Sequence, residues 1–267
     1  MISTARDPRR LPEREPFAPT DRGAVGVDYF GRGHWLTSAQ ERLAFRARRR
    51  MFDVWKRTVG GSQRGKTLLD VGTTPDGERL DSKCFLPWFH EEGLQITVYS
   101  PENIDHLAGV FPYLLIWPSV TCARPGAPYS VRLPMQDASY DWVVSSAVLE
   151  HVGHEDRQLE FIKESGRVGR NVFLTTPDRR HWLEFHTKLP FLHWLPKGCH
   201  RALLALLGKP FWAREQNLNL LTKTRLRRLA ADALGDRFDI TVRGICTLGM
   251  SSNVVLIARR RQDLSGR

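Results

Sequence analysis

Asp70 and Gly72 are the first residues whose types and spacing could do chemistry. They sit in the run KTLLDVGTTPD, residues 66–76. The apolar stretch Thr67-Leu68-Leu69, continued at Val71, suits a strand buried on both faces. A carboxylate and a glycine at the carboxyl end of such a strand stand where open α/β sheets take ligands. The carboxylate accepts hydrogen bonds from an amine or a sugar hydroxyl, and the glycine lets a ligand approach the backbone. A solvated strand end with a turn glycine is the competing reading, and the stretch by itself leaves both open. Glu102 is the second candidate. It follows the strand-like run Leu94–Tyr99, and a carboxylate just past a second strand can take both hydroxyls of a ribose. The alternative there is a helix-start acid stabilised by the helix dipole.

These residues need strands to carry them and helices to space the strands. A capping box at Ser38 and Glu41 predicts a helix to about Val59. Leu43, Ala47, Met51, Val54 and Trp55 fall on one face of it, and Arg46, Arg48, Arg49 and Arg50 crowd the rest. That basic face is either solvated or an arm that closes over an anionic ligand. A polar loop is expected from Thr73 to Arg79, then a helix from Leu80 to Glu92 stopped by Gly93. Residues 104–134 carry little pattern, with Tyr113–Trp117 a strand candidate and Cys122–Pro128 a loop. A strand at Tyr140–Val144 runs into Ser145-Ser146, a helix follows at Asp156–Val168, and a strand at Asn171–Thr175 ends at Pro177. This alternation predicts βαβ units and a parallel sheet. Residues 178–208 are rich in aromatics and His and contain Pro190 and Pro196, which reads as an inserted cap. A helix from Leu220 to Leu234, starting at Thr222, precedes strands at Phe238–Arg243 and Asn253–Arg259 that form an antiparallel hairpin. The expected division is a flexible lead-in (1–35), an N-terminal helix (36–66), a ligand-binding core (67–177), a cap (178–220), and a final helix with closing hairpin (221–267).

Composition adds bounds. The chain has 267 residues, 41% hydrophobic and 26% charged, ordinary for a globular protein. Its net charge of +11 fits an anionic partner without requiring one. Cys84, Cys122, Cys199 and Cys246 lie far apart, without metal-ligand spacing, as in a reducing compartment. No metal is expected, since His181, His186 and His193 have no diagnostic spacing. The charged, Pro-rich start is unlike a secretory signal, and no run reaches the ~18 apolar residues of a membrane span. A cytoplasmic protein is the expectation, of unknown oligomeric state.

LLDVG at 68–72 and LPMQDASYDWVVSSAVLEHV at 133–152 together resemble the class I S-adenosylmethionine-dependent methyltransferases, most of all their small-molecule, type 11 branch. The resemblance spans about residues 67–259. It implies a Rossmann-like, seven-stranded, mostly parallel sheet with an antiparallel C-terminal hairpin, helices on both faces and a helical cap insertion. It implies S-adenosyl-L-methionine as cofactor, held by Asp70, Gly72, Thr73, Thr74, Glu102, Asn103, Ser145 and Ser146. The cap resembles a subgroup found near sugar and cell-envelope biosynthesis genes.

The implied function is methyl transfer to a small-molecule acceptor, with oxygen the favoured atom, in sugar, cell-envelope or secondary-metabolite biosynthesis. A hydroxyl acceptor gains from a general base, and His186 and His151 are the candidates; Arg179 and Glu184 are the candidate substrate contacts. Two features depart from the family pattern. Gly72-Thr73-Thr74-Pro75-Asp76 replaces a G-x-G-x-G loop, and residues 124–131 lack the acid expected near the adenine. The rivals are an RNA or other nucleic-acid methyltransferase, which the basic charge suits but the SSAVLE strand end does not, and a non-catalytic partner retaining the fold. No RNA-binding appendage is visible.

Overall fold

Leu68 and Leu69 are fully buried because strand β1 (Thr67–Val71) runs through the middle of a sheet covered on both faces. The computed structural model describes residues 37–75, 85–117 and 131–261. Helix α1 (Thr37–Val59) leads into β1, followed by α2 (Phe85–Glu91), β2 (Gln95–Tyr99), α3 (Leu107–Val110) and β3 (Leu114–Ile116). Then come β4 (Tyr140–Ser146), α4 (Glu155–Val168) and β5 (Gly169–Pro177). Two short helices, α5 (Lys197–Leu206) and α6 (Pro210–Ala213), precede α7 (Lys223–Leu234), β6 (Phe238–Thr247) and β7 (Met250–Arg260).

The seven strands lie in the order β3-β2-β1-β4-β5-β7-β6. β1 to β5 run parallel to one another, while β7 runs antiparallel to both β5 and β6. The order reverses direction between β1 and β4, and such a switch point opens a crevice at the carboxyl ends of the strands. At the opposite, amino ends of β1 and β4, Asp141 pins the register, its carboxylate accepting from Thr67 N at 2.9 Å and Thr67 Oγ1 at 3.1 Å.

Two apolar layers hold the sheet. On one face α1 and α2 bring Phe52, Trp55, Phe85 and Phe89 onto Trp142 and Phe173. The α1 face is the one its periodicity predicts: Ala47, Met51, Val54 and Trp55 are buried, joined by Phe52. On the other face α4 and α7 pack Phe161, Ile162, Leu226 and Leu229 against Val143, Val172 and Leu256. Thr222 caps α7, accepting from Arg225 N at 3.2 Å, and Arg225 pairs with Glu155 to tie α7 to α4.

The closing hairpin is longer and tighter than the sequence pattern predicts. Pairing continues to Thr247↔Met250, and the turn is Leu248-Gly249, both at positive φ. Ser251 and Ser252 therefore belong to the strand rather than to a loop; Ser252 Oγ donates to Ile245 O at 3.1 Å. The lead-in, the start of the second helix, and the expected loops at 76–79 and 122–128 lie outside the described residues. Among the described residues, no helix is long and apolar enough to cross a membrane.

Candidate active site

At the switch point the carboxyl ends of β1, β2 and β4 open into a cavity of about 260 Å³. β1 contributes Asp70, Val71 and Gly72, β2 contributes Tyr99 with Ser100 and Glu102 beyond it, and β4 contributes Ser146 with Ala147 and Val148. Each group arrives there because its strand is short and parallel to its neighbour, so the ends stand level: Val71 is paired with Tyr99.

The loop after β1 is set by Gly72. Its φ is +91°, and a Cβ there would lie 2.5 Å from Val148 Cγ2. Glycine is required both for the backbone angle and for the packing of β1 against the turn after β4. Gly72 N donates to Tyr99 O at 2.8 Å. Asp70 is buried and its carboxylate accepts from the Thr73 hydroxyl. Thr73 thus turns back onto Asp70, the path this loop takes without the further glycines of the family pattern. Ala147 follows β4 at φ +56°, an unfavourable angle for a residue with a Cβ. It is anchored by Ala147 N donating to Thr175 O at 2.9 Å.

The far wall carries two imidazoles. His151 ends the turn Leu149–His151 after β4, and His186 comes from the segment between β5 and α5. Their Nε2 atoms are 3.1 Å apart with the rings nearly perpendicular, and Trp212 packs against both. His151 Nδ1 lies 2.7 Å from Asn217 O, and His186 Nδ1 lies 2.7 Å from Glu184 Oε1. Burial would raise the Glu184 pKa, but the charge and hydrogen bonds of His186 and Thr187 bring it to about 2. Burial pushes His186 down, and the Glu184 carboxylate more than reverses that, so its pKa is raised. Burial and the neighbouring His186 lower His151 to about 3. Glu150 is fully buried, and burial raises its pKa despite His186 nearby. Its Oε2 accepts from Thr176 Oγ1 at 2.9 Å.

Of the candidate residues, Asp70, Gly72, Thr73, Thr74, Glu102, Ser146, His151 and His186 line the cavity. Four do not. Ser145 is buried beneath it, donating to Val71 O at 2.7 Å. Asn103 Oδ1 accepts from Asp105 N at 3.0 Å, closing a turn. Arg179 donates to His193 O and Leu195 O, which holds residues 192–195 in place. Glu184 lies behind His186 and orients it. Residues that sequence reasoning did not single out also line the cavity: Arg157 and Phe161 on α4, Phe85 on α2, and Leu133. Tyr99 was legible as the last residue of the second strand; the α4 residues carried no signal, because nothing in a helix pattern says which face borders a crevice. Arg48 of α1 lines the cavity as well.

The donor set fits the cofactor that the resemblance implies. Carboxylates at the ends of β1 and β2 suit an ammonium group and a ribose diol, while Tyr99, Leu133, Val131 and Phe161 offer apolar wall.

The sequence matches the family described as methyltransferase domain over residues 40–233. No curated protein matches the chain. Among solved structures, a SAM-dependent methyltransferase from Aquifex aeolicus is similar at 13% identity, over 78% of this chain and 88% of that one, with a TM-score of 0.47. A S-adenosylmethionine-dependent methyltransferase from Mesorhizobium loti is 14% identical over 76% of this chain and 95% of that one, with a TM-score of 0.48. The 1,6-didemethyltoxoflavin-N1-methyltransferase of Burkholderia thailandensis is 13% identical over 85% of this chain and 81% of that one, with a TM-score of 0.47.

Proposed function

The chain belongs to the methyltransferase-domain family, and from that premise we propose that it uses S-adenosylmethionine to methylate a small-molecule acceptor at oxygen. The observation that carries this reading is the cavity itself. It has carboxylates at the ends of β1 and β2 and two imidazoles at its far wall. S-adenosylmethionine supplies an activated methyl group, so the protein's task is to bind, align and dry the site. Asp70 and Glu102 hold the cofactor's polar groups, with Thr73, Thr74 and Ser146 beside them. Asp70 is kept in place by the Thr73 hydroxyl.

His151 and His186 activate the acceptor hydroxyl. One comes from the turn after β4 and the other from the segment after β5, and they meet at 3.1 Å. That meeting, with Trp212 packed on it, stands at the proposed acceptor end. A cavity of about 260 Å³ suits a small molecule better than a polynucleotide, which needs an open channel. Acceptors from sugar, cell-envelope or secondary metabolism fit this, and the chain's basic balance suits an anionic one.

The test is label transfer. Methyl-tritiated S-adenosylmethionine is incubated with the protein and either the low-molecular-weight fraction or the RNA fraction of a cell extract. Label in the small molecules, lost in His186→Gln, is the expected result. Label in RNA alone would transfer the assignment to a nucleic-acid enzyme. A second reading, a non-catalytic partner that retains the fold, is favoured by Thr73-Thr74-Pro75 standing where the family has glycines. It predicts no label in either fraction.

A further inference from the structure

Three ligand-type groups, Glu150 Oε1 and the Nε2 atoms of His151 and His186, converge beside the cavity. Asn217 O is a carbonyl and can only accept, so His151 Nδ1 carries a hydrogen. Glu184 already accepts from His186 N at 2.9 Å and Thr187 N at 2.5 Å, and His186 Nδ1 donates to the same carboxylate. With both rings neutral, the two Nε2 atoms therefore turn lone pairs toward each other at 3.1 Å. Two lone pairs at that distance repel unless a cation lies between them. Beside them, Glu150 Oε1 is buried with no hydrogen-bond partner, 3.9 Å from His151 Nε2. A shared proton would settle the two nitrogens and leave Oε1 unsatisfied. A larger cation would settle all three.

We propose that Glu150, His151 and His186 bind a divalent first-row transition ion, with zinc as the reference case, through Glu150 Oε1 and the two Nε2 atoms. One donor atom from each residue lies within 4.8 Å of the others. Two imidazoles and a carboxylate are a donor set of catalytic zinc sites, which keep a fourth position open. Bonds of ~2.0–2.2 Å in tetrahedral array separate ligands by ~3.3–3.6 Å; the imidazole nitrogens already stand near that spacing, and Glu150 Oε1 need close on His151 Nε2 by only about half an ångström. Asn217 and Glu184 are the outer acceptors that fix the tautomer and ring angle of ligating histidines. His151 and His186 line the cavity, so the open position faces the acceptor, whose hydroxyl it would polarise. Only that last role rests on the proposed function; ion binding stands apart from it.

The experiment uses the full chain, stripped with chelator and titrated with Zn²⁺ by calorimetry, then with Co²⁺ followed by its visible ligand-field absorption. One equivalent of Zn²⁺ with micromolar or tighter affinity is expected. Glu150→Gln and His186→Gln, checked for folding by their melting curves, should weaken it by ~10-fold or more and erase the Co²⁺ bands. Absence of stoichiometric binding by folded wild type, or equal binding by both variants, overturns the site. If a variant does not fold, X-ray absorption of the Zn²⁺-loaded wild type decides: two imidazoles in the shell support the site, and none overturns it. Zn²⁺ binding with no affinity for S-adenosylmethionine would overturn the proposed function alone.

Discussion

The Nε2 atoms of His151 and His186 face each other at 3.1 Å, and each ring is fixed from behind by an oxygen acceptor on its Nδ1. One residue belongs to the turn after β4 and the other to the segment after β5, so this contact joins two separate segments at the cavity wall. Replacing His186 with Gln is expected to lower kcat for the acceptor by ~10²–10⁴-fold, the range of a lost acid–base or activating group. Affinity for S-adenosylmethionine should stay within about twofold, since the proposed cofactor contacts lie at the ends of β1, β2 and β4. Calorimetry beside kinetics separates the two effects.

Gly72 is the tightest point of the crevice. Gly72→Ala places a Cβ 2.5 Å from Val148 Cγ2 at a φ of +91°. The expected loss is about 2–4 kcal/mol in urea unfolding, combining left-handed strain with overpacking. Adding Val148→Ala should recover the overpacking share and leave the ~1–2 kcal/mol of strain. A double variant no more stable than Gly72→Ala would show that the Val148 contact is not the cause.

Glu102 stands past the end of β2, and its backbone N donates to Ser100 Oγ at 3.1 Å. That turn does not need the Glu102 carboxylate. Glu102→Gln, checked for folding by its melting curve, should lose ~10–100-fold in cofactor affinity, the scale of a hydrogen bond to a charged group. An unchanged affinity would remove Glu102 from the ribose position.

Leu133, in the cavity wall, is held by Glu164, whose Oε1 accepts from Leu133 N at 2.8 Å. Burial would raise the Glu164 pKa, but Arg167 and that backbone N–H lower it below its ordinary 4.5. The sign follows: a carboxylate with a depressed folded pKa stabilises the fold fully above its unfolded value, and the stability is lost as pH falls through the folded value. Glu164→Gln should melt several degrees below wild type at neutral pH. The gap should shrink as the pH drops below 4.5. A gap independent of pH would contradict the assignment.

Much of this was legible in the sequence, for reasons the structure makes plain. The β1 and β4 stretches are short apolar runs ending in polar residues, which is how a buried parallel strand must deliver chemistry to a crevice. Asp70, Gly72 and Ser146 could be read there because strand ends are local. Ser145 could not be separated from Ser146, since which neighbour points into a cavity depends on the pleat and its packing; here Ser145 goes to Val71 O. Glu184 showed only as a charged residue in the cap. Its work on His186 is also local, but the contact between His186 and His151 joins residues 35 apart, and no periodicity announces it. Arg48 was visible as one of several arginines on α1; only packing selects it.

The measurement closest to the central claim is calorimetric titration of the full chain and of Asp70→Ala with S-adenosylmethionine and S-adenosylhomocysteine. The account predicts micromolar binding of both by the wild type and none measurable by the variant, with both proteins folded. Wild-type protein that binds neither would contradict it and leave the non-catalytic reading. Equal binding by Asp70→Ala would keep the cofactor and refute its placement at the end of β1.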